Sequence, residues 1–260
     1  MANYSPQTNY FETSMKLNKA YHISYWLVFV LSIIATVFNM NSWVEYISVF
    51  SIIYLSILSS VADNYKLKAE KIRRTDFIDN SFGTKFVHDS SDAYYDNDEV
   101  EVGIKKCMAN LFENAYFSYN VSKEMVRKKT LKNLLFTLII LGLAIYGFSR
   151  SNISLPLLQL YLSRYFILDF IRINSFHQRA ESCFDELKKI SEDIKENRNL
   201  TTAEIVFFKI LVDYEAGIAE SNVVLDSKIF KKLNPSLTSE WEALKSKYLN
   251  GGSELSLIHI

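Results

Sequence analysis

Residues 23–40, ISYWLVFVLSIIATVFNM, contain no charged side chain. At about 1.5 Å per helical residue, a run of this length just crosses a hydrocarbon core about 30 Å thick. A second apolar window covers residues 43–62, with Glu45 at its start. Only the few residues around Asn39–Ser42 separate the two. A link so short predicts a tight helical hairpin whose outer ends face the same side. The preceding segment, MANYSPQTNYFETSMKLNKAYH, is polar. A secretory signal would reach its apolar core sooner and end in small residues, so the first window reads as a retained anchor.

Two more windows follow. Residues 134–148 lie between Lys132 and Arg150, and residues 155–173 hold Gln159, Arg164, Asp169 and Arg172. These windows also fit a buried hairpin of a soluble domain. The apolar character of 134–148 on every helical face favours the membrane. Basic residues set the orientation. Lys16 and Lys19 precede the first window, Lys66, Lys68, Lys71, Arg73 and Arg74 follow the second, and Arg127, Lys128, Lys129 and Lys132 precede the third. The hairpin links carry only Arg150. Both termini and the middle segment are therefore expected in the cytosol.

The rest of the composition agrees with long helices. Among 260 residues there are only 7 glycines and 3 prolines, too few for a strand-and-turn protein or a Gly-rich phosphate loop. Lys plus Arg and Asp plus Glu are both 29, so no basic excess points to nucleic acid. Cys107 and Cys183 are far apart and read as reduced thiols. The expected fold is all-α: an integral membrane protein with four transmembrane helices in two hairpins plus a cytosolic helical domain. Its segments are residues 1–22, a hairpin over 23–62, a cytosolic segment over 63–132, a hairpin over 133–173, and C-terminal helices over 174–260. A weak two-fold repeat runs through this order. Each hairpin continues into a charged helix with an acid-flanked phenylalanine, Asp76-Phe77 and Phe184-Asp185. In the tail, Thr201–Glu204 and Ser239–Glu242 fit capping boxes. The second would open a short last helix after a turn at Asn234-Pro235.

No enzyme signature is present. The four histidines, His22, His88, His177 and His259, form no HxxxH pair, CxxC is absent, and neither a metal site nor a cofactor is expected. The acidic run Asp89, Asp92, Asp96, Asp98, Glu99 and Glu101 lacks the EF-hand spacing and reads as a solvated loop. In the second window Glu45, Ser48, Ser56, Ser59, Ser60 and Asp63 share an arc of about 120°. Such a stripe either packs helix against helix or lines a wet path. Arg164 sits near the middle of the fourth window, where an isolated guanidinium costs at least about 2.5–3.5 kcal/mol, so it should face the bundle or water. It either orients that helix or serves as a gate, with Glu45 within approach. Asp169 and Arg172, three apart, suit an ion pair near the cytosolic boundary. Arg73, Arg74, Asp76 and Asp79 form an interfacial helix end, with a lipid headgroup or nucleotide as the alternative ligand.

The stretch AEKIRRTDFIDNSF, residues 69–82, together with the two-hairpin layout, resembles the S-4TM family of predicted bacterial pore-forming effectors. That family carries an acidic-aromatic motif after a membrane hairpin; its usual Gln-Glu before the Phe-Asp pair is absent here. The resemblance implies an oligomeric effector of phage defence in the bacterial inner membrane. A cytosolic protein or nucleotide would trigger it, and the lipid bilayer would be its target. In that reading Glu45, Ser48, Ser56, Ser59 and Asp63 line the path and Arg164 holds the gate. The alternative is a non-conducting anchor that recruits or regulates a cytosolic partner. A lipid-modifying enzyme would need a catalytic constellation that the sequence does not offer.

Overall fold

The computed structural model describes residues 7–37, 43–86, 97–146, 167–196 and 200–249. Among these the chain is all-α, with six helices: α1 (Thr8–Val37), α2 (Trp43–Phe82), α3 (Ile104–Tyr146), α4 (Asp169–Lys195), α5 (Leu200–Ser221) and α6 (Ser227–Tyr248). From Thr8 to Phe82 there is neither glycine nor proline, so nothing local interrupts α1 or α2. α2 ends at Gly83, whose φ of 67° is the left-handed conformation that terminates helices.

The chain divides into two compact units. The first holds the described residues of Arg73–Arg127 and Arg172–Ile260; the second holds Gln7–Ile72 and those of Lys128–Ile171. The first unit is an aromatic-cored helical domain. The α3 side chains are buried without interruption from Lys106 to Phe112, so this stretch is the central rod of the unit. Phe112 packs edge-on against Trp241 at 5.6 Å and tilted against Phe184 at 5.4 Å. Tyr116 stacks on Trp241 at 6.2 Å. Phe77 and Phe184, the two acid-flanked phenylalanines, are both in this core. Helix α5 comes so close to α4 that a Cβ on Gly217 would lie 2.8 Å from Arg179 Cγ.

The second unit contains α1 and the N-terminal part of α2. The Ser14 hydroxyl donates to the Ala62 carbonyl at 2.9 Å, and Tyr10 and Tyr65 pack at 6.4 Å. The inward face of α2 is Leu55, Ser59, Ala62, Lys66, Ala69 and Glu70, all buried. Its other face and much of α1 and α3 expose large apolar side chains, with Phe50 71% and Ile145 89% exposed.

Several expectations change. The segment 1–22 is helical from Thr8. The segment 63–132 and the third apolar window are not separate elements: α3 runs through the basic cluster at Lys132 to Tyr146, because no breaker separates that cluster from the window. The Ser239 box does not open a helix, and Asn234-Pro235 is not a turn. α6 runs continuously through Pro235, and its cap is Asp226, whose carboxylate accepts from the Lys228 and Ile229 amides at 2.8 and 3.1 Å. α5 begins at Leu200, so Thr201 already lies within the helix. No helix among the described residues is long and apolar enough to cross a membrane. Part of each of the four apolar windows lies outside the described residues or their described side chains.

The core makes one variant informative. Trp241→Ala should destabilise the protein by about 3–5 kcal/mol in denaturant titrations followed by circular dichroism. A loss below about 1 kcal/mol would show that the aromatic cluster is not the core of this unit.

Candidate functional site

The end of α2 carries the four residues expected to meet a headgroup or nucleotide; Arg73, Asp76 and Asp79 are buried and Arg74 is half-exposed. Arg73 donates to Glu215 Oε2 at 2.6 Å, and Arg74 Nε lies 3.1 Å from the same oxygen. Asp79 Oδ1 accepts from the Thr84 hydroxyl at 2.6 Å and from the Phe86 amide at 2.9 Å, which folds the chain back after α2. Asp76 and Asp79 are both buried. This cluster therefore works as a clamp between α2 and α5. Both guanidinium groups converge on one Glu215 oxygen, and that carboxylate occupies the position an anionic ligand would need.

A buried amide layer lies beside it. Asn97 donates to Asn110 Oδ1 at 3.0 Å and to Glu113 Oε2 at 2.7 Å. Asn110 donates to Asn80 Oδ1 at 2.9 Å and to Ser81 Oγ at 3.2 Å. The Ser81 carbonyl accepts from the Gly103 amide at 2.8 Å. Together these bonds set the register of α2 against α3.

The serine stripe of α2 is divided. Ser59 is 8% exposed and belongs to the inward face, which is the packing role. Ser56 and Ser60 lie on the exposed face, Ser60 donating to the Ser56 carbonyl at 2.9 Å. Asp63 is half-buried. The side chains of Glu45 and Ser48, and all of Arg164, lie outside the described residues. Asp169 is engaged by Lys129 at 3.3 Å rather than by Arg172, because α3 brings an ammonium to it from across the unit. Of the acidic run, Asp89, Asp92 and Asp96 lie outside the described residues, Asp98 pairs with Lys106 at 3.1 Å, and Glu99 with Lys245. Among the described residues no group of His, Cys, Asp and Glu is placed to hold a metal ion.

Two arrangements were not readable beforehand. The Ser122 hydroxyl is 3.0 Å from His177 Nδ1, and the imidazole stacks on Tyr119 at 5.3 Å. Ser122 is fully buried and also bonds the Tyr119 carbonyl at 3.0 Å, so the pair fixes α4 to α3 and offers no path to a substrate. A cavity of about 300 Å³ opens where α3 begins and α4 and α6 end, with Glu101, Lys105, Lys195 and Tyr248 in its wall. Its mixed charges select no ligand class. Both cysteines are free and buried. Burial pushes the Cys107 thiol up to about 11 and the Cys183 thiol well above its ordinary value, so neither is a nucleophile at neutral pH.

No protein-family model, curated protein or solved structure matches this chain.

Two measurements test these contacts. Glu215→Gln should destabilise the protein by about 2–4 kcal/mol, since it strands a largely buried guanidinium, whereas Arg74→Ala at the more exposed partner should cost less than about 1 kcal/mol. Equal, small effects would show that the clamp is not buried in solution. The hydrogen bond from Lys245 holds the Glu99 carboxyl below its ordinary 4.5. A depressed folded pKa stabilises above the unfolded value, and that contribution disappears as pH falls through the folded value. The stability difference between wild type and Glu99→Gln should thus be present at neutral pH and close as the pH drops below about 4.5. A difference independent of pH would exclude the ion pair as its source.

Proposed function

We propose that this chain is an oligomeric membrane effector of the bacterial inner membrane, with its termini and its aromatic-cored unit in the cytosol. A cytosolic protein or nucleotide acting on that unit would cause the membrane part to permeabilise the bilayer. The observation that supports this most is the distribution of exposed apolar side chains. The great majority, from Ile23 and Leu27 on α1 through Phe50 and Ile57 on α2 to Leu138 and Ile145 on α3, belong to the second unit. Burying one such side chain is worth about 1.5–3 kcal/mol, and contiguous patches of this kind mark membrane or protein contacts. The basic residues at the cytosolic ends of the windows support the orientation. Helices α2 and α3 belong in part to each unit, and a trigger would act through them.

The burial of Ser59 favours a second reading, a non-conducting anchor that recruits or regulates a cytosolic partner. An anchor needs serine only for packing, whereas a conducting path needs Ser56 and Ser60 as well. Membrane potential and alkaline extraction of membranes, measured on induced expression with and without phage, separate the readings. Depolarisation that is lost in Ser56→Leu/Ser60→Leu while the protein stays in the membrane fraction is the expected result. An intact potential under every condition, with the protein still in the membrane, leaves the anchor. A fully extractable chain defeats both.

A further inference from the structure

Helix α5 is apolar on two sides. One side fills the core through Phe207, Ile210, Tyr214 and Ile218. The other exposes Ile205 (68%), Phe208 and Val212 (65%), continued by Ala216 and Ala219. Their spacing of three and four residues places them in one stripe along the helix. No amphipathic helix needs this second stripe for its own fold. Bilayer lipid is a poor occupant, because α5 carries Glu204, Asp213, Glu215 and Glu220 against the single Lys209, and an anionic leaflet repels that balance.

The charges beside the stripe point to its partner. Lys209 and Asp213 lie on one flank, four residues apart, 3.2 Å from each other on the same helix, with Glu186 of α4 also near Lys209 at 3.6 Å. If two α5 helices pack antiparallel about a two-fold axis near Leu211, Lys209 of each faces Asp213 of the other. The apolar residues then interleave, Ile205 falling between Ala216 and Ala219 of the other copy and Phe208 between its Val212 and Ala216. A surface that complements itself under a two-fold is what an isologous interface requires. We propose that the exposed face of α5 is a homodimer interface, its occupant the α5 of a second copy of this chain. One helix pair buries less than the roughly 1,200 Å² of a stable interface, so contact through α5 alone is weak and concentration-dependent. This deepens the oligomeric part of the reading above but does not depend on where the second unit resides.

Disulfide capture in the full-length protein tests it. Cys107 and Cys183 are buried and remain silent to mild oxidation, so a single introduced thiol reports alone. Val212→Cys should form a covalent dimer readily under copper-phenanthroline oxidation in native membranes or whole-cell extract. Lys232→Cys, exposed on α6, is the control and should not. Adding Lys209→Asp to Val212→Cys should lower the dimer yield about 5- to 10-fold by setting acids against acids. Adding Asp213→Lys as well should restore it, since the exchanged charges again face each other across the two-fold. Equal yields at the two cysteine positions, no dimer at Val212→Cys, or no rescue by the double exchange would each overturn the proposal. Membrane extraction of the same samples reads out separately, so a soluble protein that still forms the dimer defeats the membrane reading alone.

Discussion

Because α3 is enclosed on all sides from Lys106 to Phe112, every polar group on that stretch must find its partner inside the domain. That requirement organises the surrounding helices. Asn110 takes the carboxamide of Asn80 and the hydroxyl of Ser81, which fixes how far α2 can slide along α3. Lys106 takes Asp98, which ties down the approach to α3. Further along, Tyr116 donates to Glu240 at 2.6 Å, and Tyr214 donates to Ser118 at 3.0 Å. The apolar contacts around Phe112 and Trp241 stabilise the unit without fixing direction. The polar contacts decide which of several similar helix packings is adopted.

The same constraint accounts for the packing of the α2 terminus. A guanidinium as enclosed as that of Arg73 needs an anion, and the nearest source is the domain's own Glu215. Placing a second cation on the same oxygen leaves the cluster with more positive than negative charge. Asp76 and Asp79 lie within the next two turns, and Asp79 spends one oxygen on the turn at Thr84 and Phe86. With Asp76 and Asp79 counted, three carboxylates stand against two guanidinium groups, which does not favour an external phosphate.

Helical content was legible because breakers are so few, and the long uninterrupted span up to Gly83 follows directly from that. The acidic flanks of Phe77 and Phe184 marked a repeat, but that both rings enter one core was not visible in them. Other features depended on residues too distant to associate by inspection. Glu215 lies 142 positions from Arg73, and Glu240 lies 124 from Tyr116. No periodicity or motif connects such pairs. The cap of α6 was misjudged for a different reason. Asp226 and Ser239 both satisfy the local chemistry of an N-terminus, and only packing chooses between them. Burial of Ile229 before the proline and of Leu237 and Trp241 after it favours one continuous helix. The stripe on α2 was visible as an arc, but the arc could not reveal that Ser59 faces inward while Ser56 and Ser60 do not.

Pro235 gives α6 a division that its continuous outline hides. The ring removes one amide donor, and the carbonyl four residues earlier, at Lys231, loses its helical partner. Both residues are exposed, so water replaces the missing bond at small cost. The half beginning at Asp226 is held by its cap and by Ile229; the half ending at Tyr248 is held by Trp241 and Lys245. Backbone opening can thus begin at the junction without disturbing either anchor. In hydrogen-exchange terms α6 should behave as two protected segments flanking a faster-exchanging seam, its first half able to loosen while the indole stays seated.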